Sequence, residues 1–78
     1  MTLAGFLSNI RRTESCWLWT GETNGRGYGK LYYAGKTERA HRLSFMLFRH
    51  EIPDELVIDH LCKNKLCVNP AHLAPVFQ

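Results

Sequence analysis

The chain has 78 residues, 45% hydrophobic and 22% charged, with ten Lys and Arg against seven Asp and Glu for a net charge of +3. This leaves room for one domain and excludes a disordered or fibrous chain and a membrane helix, since no apolar run approaches the ~18–20 residues that crossing needs. Met1–Ile10 lacks the basic start and pure apolar stretch of a secretory signal, so an intracellular, cytoplasmic protein is expected, in which disulfides are disfavoured. Thr2 can cap a helix over 1–12, with Leu3, Phe6, Leu7 and Ile10 on one face and Arg11 and Arg12 at its C-terminal end.

The segment 16–40 reads as a three-stranded antiparallel meander. Cys16 to Thr20 is rich in aromatics, Gly21 to Gly27 is a turn region with an Asn-Gly pair, and Tyr28–Ala34 and Lys36–Ala40 join through Gly35. Tyr28, Lys30 and Tyr32 share one strand face, and with Arg26, Lys36 and Arg39 they mix base and aromatic groups as a nucleic-acid surface does. A helix follows over 41–50, with Leu43, Met46, Leu47 and His50 as its core stripe; His41 and His50 have no expected role beyond cap and core. A strand, a tight knuckle and a short return segment fill 56–76. The expected class is α+β.

A chain this small needs a staple, because ordering costs roughly 1.5 kcal/mol per residue and nearly cancels what its core returns. The segment Asp59-His60-Leu61-Cys62-Lys63-Asn64-Lys65-Leu66-Cys67-Val68-Asn69-Pro70-Ala71-His72 supplies candidates. Four residues separate Cys62 from Cys67, and four more precede His72, which is ligand spacing for a tetrahedral zinc ion. Two residues compete to be the fourth ligand. His60 lies on the same strand face as Cys62, while Cys16 accounts for every cysteine and ties a distant strand to the knuckle. The Cys16, Cys62, Cys67, His72 set is preferred, with zinc adding folding free energy. His60 is then free to act as a general base, and Asp59 beside it is a candidate ligand for Mg²⁺ or Mn²⁺.

At these residues the sequence resembles the HNH, or His-Me finger (ββα-metal), endonucleases, nearest the zinc-containing phage forms and the His-Cys box homing enzymes. The resemblance runs from Cys16 to Val76 and rests on Cys16-Trp17-Leu18-Trp19-Thr20-Gly21, the Gly-rich turn, Ala40-His41-Arg42-Leu43, and above all Asp59-His60-Leu61-Cys62 with Cys67-Val68-Asn69-Pro70-Ala71-His72-Leu73. It implies that His60 is the general base, that Cys16, Cys62, Cys67 and His72 hold structural zinc, that Asn69 braces the hairpin, and that Asp59 ligates the catalytic metal. It implies a phage-encoded protein with DNA as partner and a sheet from Trp17 to Arg39 that lies on DNA; Arg42 is a weaker candidate to steady the leaving phosphate. The family's final helix, which carries a further metal ligand, falls beyond Gln78 on this count. The expectation is therefore a His-Me finger lacking that helix: a DNA-cutting enzyme, or a catalytically inactive zinc-stapled module that binds DNA or inhibits a host protein, or a subunit completed by another chain.

Overall fold

The computed structural model describes residues 1–77. Helix α1 spans Leu3–Ser8, and the Thr2 side chain accepts from the Gly5 amide at 3.1 Å, as an N-cap should. The helix stops short of the expected residue 12. Asn9 ends it: its side-chain amide donates to the Gly5 carbonyl at 2.8 Å, while its own carbonyl accepts from the Thr20 amide at 2.7 Å. The chain therefore leaves as a strand, β1 (Ile10–Arg12), antiparallel to β2 (Trp17–Trp19) with Ile10 opposite Trp19. Arg11 and Arg12 thus serve no helix end. The Arg12 guanidinium instead lies 4.0 Å from the centre of the Trp17 ring. Of the expected apolar face only Phe6 is fully buried; Leu3 and Leu7 are largely exposed.

Strand β3 (Lys30–Tyr33) pairs with β4 (Lys36–Arg39) through a two-residue turn, Ala34-Gly35, with positive φ at both positions. That is the turn type whose twist suits a hairpin. The expected third strand does not join this pair. Both edges of β2 are already occupied: one by β1, the other by the knuckle, where the Trp19 amide donates to the Leu66 carbonyl at 2.8 Å and the Val68 amide to the Trp17 carbonyl at 2.7 Å. The sheets are accordingly hairpins of two strands rather than one meander. Gly29 marks where the two meet: a Cβ there would sit 2.4 Å from the Trp19 ring, so only glycine lets the indole pack so closely.

Helix α2 covers Ala40–Phe48 and buries Ala40, His41, Leu43, Ser44 and Phe45. The buried face is rotated from the expected stripe, since Leu47 and His50 are exposed. Two packing contacts set that rotation. The Ser44 hydroxyl donates to the Val68 carbonyl, and Phe45 packs against Ile58 and Leu73. Strand β5 (Leu56–His60) pairs antiparallel with β6 (Leu73–Phe77), His60 opposite Leu73. Between them lie the knuckle and a 3-10 turn at Pro70–His72. The main core gathers Phe6, Trp19, Leu31, Ala40, Leu43 and Val68 from every part of the chain. Among the described residues no helix is long and apolar enough to cross a membrane.

Candidate functional site

Cys16 lies in the bend between β1 and β2, where its carbonyl accepts from the Thr13 hydroxyl at 2.7 Å and from the Thr13 amide at 3.1 Å. Cys62 opens the knuckle, turned by Lys63 with φ 63°. Cys67 closes it, fully buried, its amide donating to the Asn64 carbonyl at 3.0 Å. His72 ends the 3-10 turn. Asn69 caps that turn: its side-chain oxygen accepts from the Ala71 amide at 3.0 Å, and its side-chain nitrogen donates to the Ser15 carbonyl at 2.7 Å. One asparagine thus fixes His72 and the Cys16 bend to each other.

The donor atoms of Cys16, Cys62, Cys67 and His72 all fall within 4.8 Å of one another. His72 Nδ1 is 3.4 Å from the Cys67 sulfur and 3.7 Å from that of Cys16. Tetrahedral zinc with Zn–S bonds of about 2.3 Å separates its sulfurs by roughly 3.8 Å, so the donor set fits such an ion. The thiol environments are uneven. Burial raises the Cys62 thiol, but hydrogen bonds from the Asn64 backbone, from Cys16 and Cys67 and from its own backbone outweigh it and leave the group low. Burial pushes Cys67 up to about 12. His60 is not among the four.

His60 takes part in a second cluster. It is 94% buried, from a relative exposure of 6%, and its Nε2 has no hydrogen-bond partner among the described residues. Burial holds its pKa below the usual imidazole value, against the backbone of Cys67, which hydrogen-bonds the ring, and against the charge of Asp59. Asp59 itself is exposed on the other side of β5, opposite Ala74 in the ladder.

His41, expected only to cap or fill, stands beside His60 with ring centres 4.5 Å apart. It is 3% exposed, and its Nδ1 is also unpartnered among the described residues. Its pKa is lowered to about 3, by burial first, then by His60, Arg39 and Arg42, against a hydrogen bond with the Ile58 backbone. Tyr28 stacks on both imidazoles at 5.4 and 5.8 Å, and carries Arg39 and Lys65 over its ring at 5.6 and 5.1 Å. His41 lies within the Ala40-His41-Arg42-Leu43 motif, yet nothing in its spacing from His60 signals that the two rings meet.

The expected nucleic-acid residues divide between the two faces of the β3–β4 hairpin. Lys30 is opposite Arg39 and Tyr32 opposite Thr37, so these four share a face. Lys36 is opposite Tyr33 and belongs to the other face. Arg26 is exposed in the Gly-rich turn, where Asn24 Oδ1 accepts from its amide at 2.8 Å and Lys65 Nζ donates to its carbonyl at 3.1 Å.

A family model described as HNH endonuclease matches residues 38–76, half of the chain. Protein 2.8 of Escherichia phage T7 is 38% identical over 71 residues, covering 87% of this chain and 48% of that protein. Protein 7.7 of the same phage is 37% identical over 60 residues, covering 77% of this chain and 46% of its own length. The chain spans about half the length of these curated relatives. No solved structure matches. The matched segment holds both buried histidines, the knuckle, Asn69 and His72, and through it the chain belongs to the HNH endonuclease family.

Proposed function

We propose that this chain is a DNA endonuclease domain of the HNH type, phage-encoded and acting in the cytoplasm of a bacterial host. The observation that carries this reading is His60: a buried imidazole at the end of β5, packed against His41 and Tyr28 and adjacent in sequence to the exposed carboxylate of Asp59, within the segment that matches the HNH family. Its lowered pKa keeps the ring neutral near pH 7, the form that accepts a proton.

Cys16, Cys62, Cys67 and His72 would hold a structural zinc ion, which fixes the end of β5 and so the ring of His60 two residues before Cys62. Asp59 would hold Mg²⁺ or Mn²⁺ together with water and the substrate's phosphate oxygens. Such an ion is usually held by one or two carboxylates and keeps several waters. When bound, it would supply charge stabilisation for the phosphate under attack. The His60 imidazole removes a proton from the water that attacks phosphorus, and the P–O bond to the sugar on the far side breaks, its leaving oxygen taking a proton from solvent. His41 and Tyr28 wall the ring on its buried sides and hold its orientation. Lys30, Tyr32 and Arg39 would meet the DNA backbone on one face of the β3–β4 hairpin, Arg26 from the Gly-rich turn, and Lys36 from the turn end of the hairpin.

The test is plasmid nicking by zinc-loaded protein in Mg²⁺ or Mn²⁺, wild type against His60→Ala. Loss of a positioned base lowers the rate by roughly 10²–10⁴-fold. Equal cleavage by both proteins, or none by either, refutes the enzyme reading; in the second case a salt-sensitive shift of DNA would identify a binding module, and its absence would leave a host protein as partner.

A further inference from the structure

The β3–β4 hairpin sets two cations against each other. Lys30 and Arg39 are directly opposed in the ladder, an arrangement that destabilises a strand pair when nothing lies between the charges. Arg39 is also the residue before α2, and Arg42 follows within its first turn. Together with Asn24, Thr37 and Glu38, these three cations line an open cavity of about 410 Å³. Only Glu38 among the lining residues is acidic. Glu22 approaches Lys30 at 3.8 Å, but its side chain is 81% exposed, and such surface pairs neutralise little. Helix α2 starts without a side-chain cap, so its positive end adds to the same field. The cavity also adjoins the histidine cluster. His41 lies between Arg39 and Arg42 in sequence, Arg39 reaches over Tyr28, and both guanidiniums act on the His41 imidazole, whose ring is 4.5 Å from that of His60.

We propose that this cavity seats a backbone phosphate of DNA, the neighbour of the one presented to His60, with Arg39 and Arg42 donating to its oxygens and Lys30 as a point charge. Guanidinium groups suit phosphate because they offer paired donors in fixed geometry. Thr37 and Asn24 supply neutral donors at the rim. The cavity would thus set the register of the strand, determining which phosphate lies before the base. The DNA in this assignment rests on the endonuclease reading.

The experiment measures binding of the zinc-loaded chain, without Mg²⁺, to a short duplex in which single phosphates are replaced in turn by neutral methylphosphonates. Wild type, Arg42→Gln and the control Arg49→Gln are compared, with folding checked by zinc stoichiometry. One position should weaken the wild type and the control but leave Arg42→Gln unaffected, because that variant has already lost the contact. Arg42→Gln should also bind more weakly overall, with a salt slope smaller by about one. A wild-type scan with no sensitive position, or a scan unchanged in Arg42→Gln, overturns the proposal while leaving the endonuclease reading standing. No binding of duplex by the wild type removes both. Inorganic phosphate that binds the wild type but not Arg42→Gln, with the methylphosphonate scan unchanged, would identify a free-anion site and overturn the DNA assignment.

Discussion

Replacing Cys16 by serine should remove the metal and unfold the domain. Cys16 is 46 residues from Cys62 (62 − 16), so the metal closes a long loop between the first hairpin and the knuckle. The chain-entropy relation for cross-links gives about 4 kcal/mol for a loop of that length. A domain of 78 residues has a total stability of roughly 4–12 kcal/mol at about 0.05–0.15 kcal/mol per residue. The loop term alone therefore consumes a third to all of the margin, before the metal–ligand free energy itself is counted, which is about 10–16 kcal/mol in zinc-finger peptides. The contacts that remain at this corner are short hairpins, two backbone hydrogen bonds between β2 and the knuckle, and the asparagine bridge from Asn69 to Ser15. Zinc content by a chromogenic chelator and thermal melting by circular dichroism read the outcome. Wild type should carry one zinc per chain and melt cooperatively, and a strong chelator should abolish the transition. Cys16→Ser should carry none and show no cooperative melt, whereas His60→Ala should keep its zinc. A Cys16→Ser protein with one tightly held zinc and an unchanged melt refutes the four-ligand centre, and loss of zinc from His60→Ala would move that histidine into it.

Two further outcomes follow from the packing. His41 titrates near 6.5 when unfolded and at about 3 when folded, so the unfolded chain binds a proton that the folded one refuses. Its neutral burial therefore contributes stability above pH 6.5 that is lost progressively as pH falls toward 3, up to about 5 kcal/mol at 1.36 kcal/mol per pH unit. Urea unfolding of wild type and His41→Gln across this range shares any loss from the cysteines, and the wild-type slope should be the steeper; parallel slopes would show that His41 is not held neutral. Gly29→Ala places a methyl 2.4 Å from the Trp19 ring and 3.0 Å from the Ala40 side chain, and overpacking of this kind costs about 1–3 kcal/mol. Gly25→Ala meets nothing within 4 Å and should be near neutral, so equal urea midpoints for the two variants would refute the close approach.

How much of this molecule could be read from its sequence follows from how local each signal is. The knuckle and its flanking ligands lie within a dozen residues, where spacing limits geometry tightly, and the structure gathers Cys62, Cys67 and His72; Cys16 joins them from a distant bend, where the cysteine count and not spacing pointed to it. The α+β class and the β3–β4 hairpin were legible for the same reason, since the Ala34-Gly35 turn fixes its own register. The pairing of Trp17–Trp19 was not. An aromatic strand can pair on either edge, and what decided it was Asn9 ending α1, which leaves Ile10–Arg12 to pair as a strand, and the knuckle backbone, distant in sequence, occupying the far edge. The face of α2 was misread because periodicity weights apolar residues, whereas the buried side carries Ser44 and His41, held by Val68 and the His60 ring. That misreading concealed the feature most relevant to chemistry. A histidine on a buried helix face reads as filler until the fold brings it to 4.5 Å from a second one. Two imidazoles held neutral by burial, stacked on one tyrosine beside a cluster of cations, argue that this corner is shaped for chemistry as well as for stability.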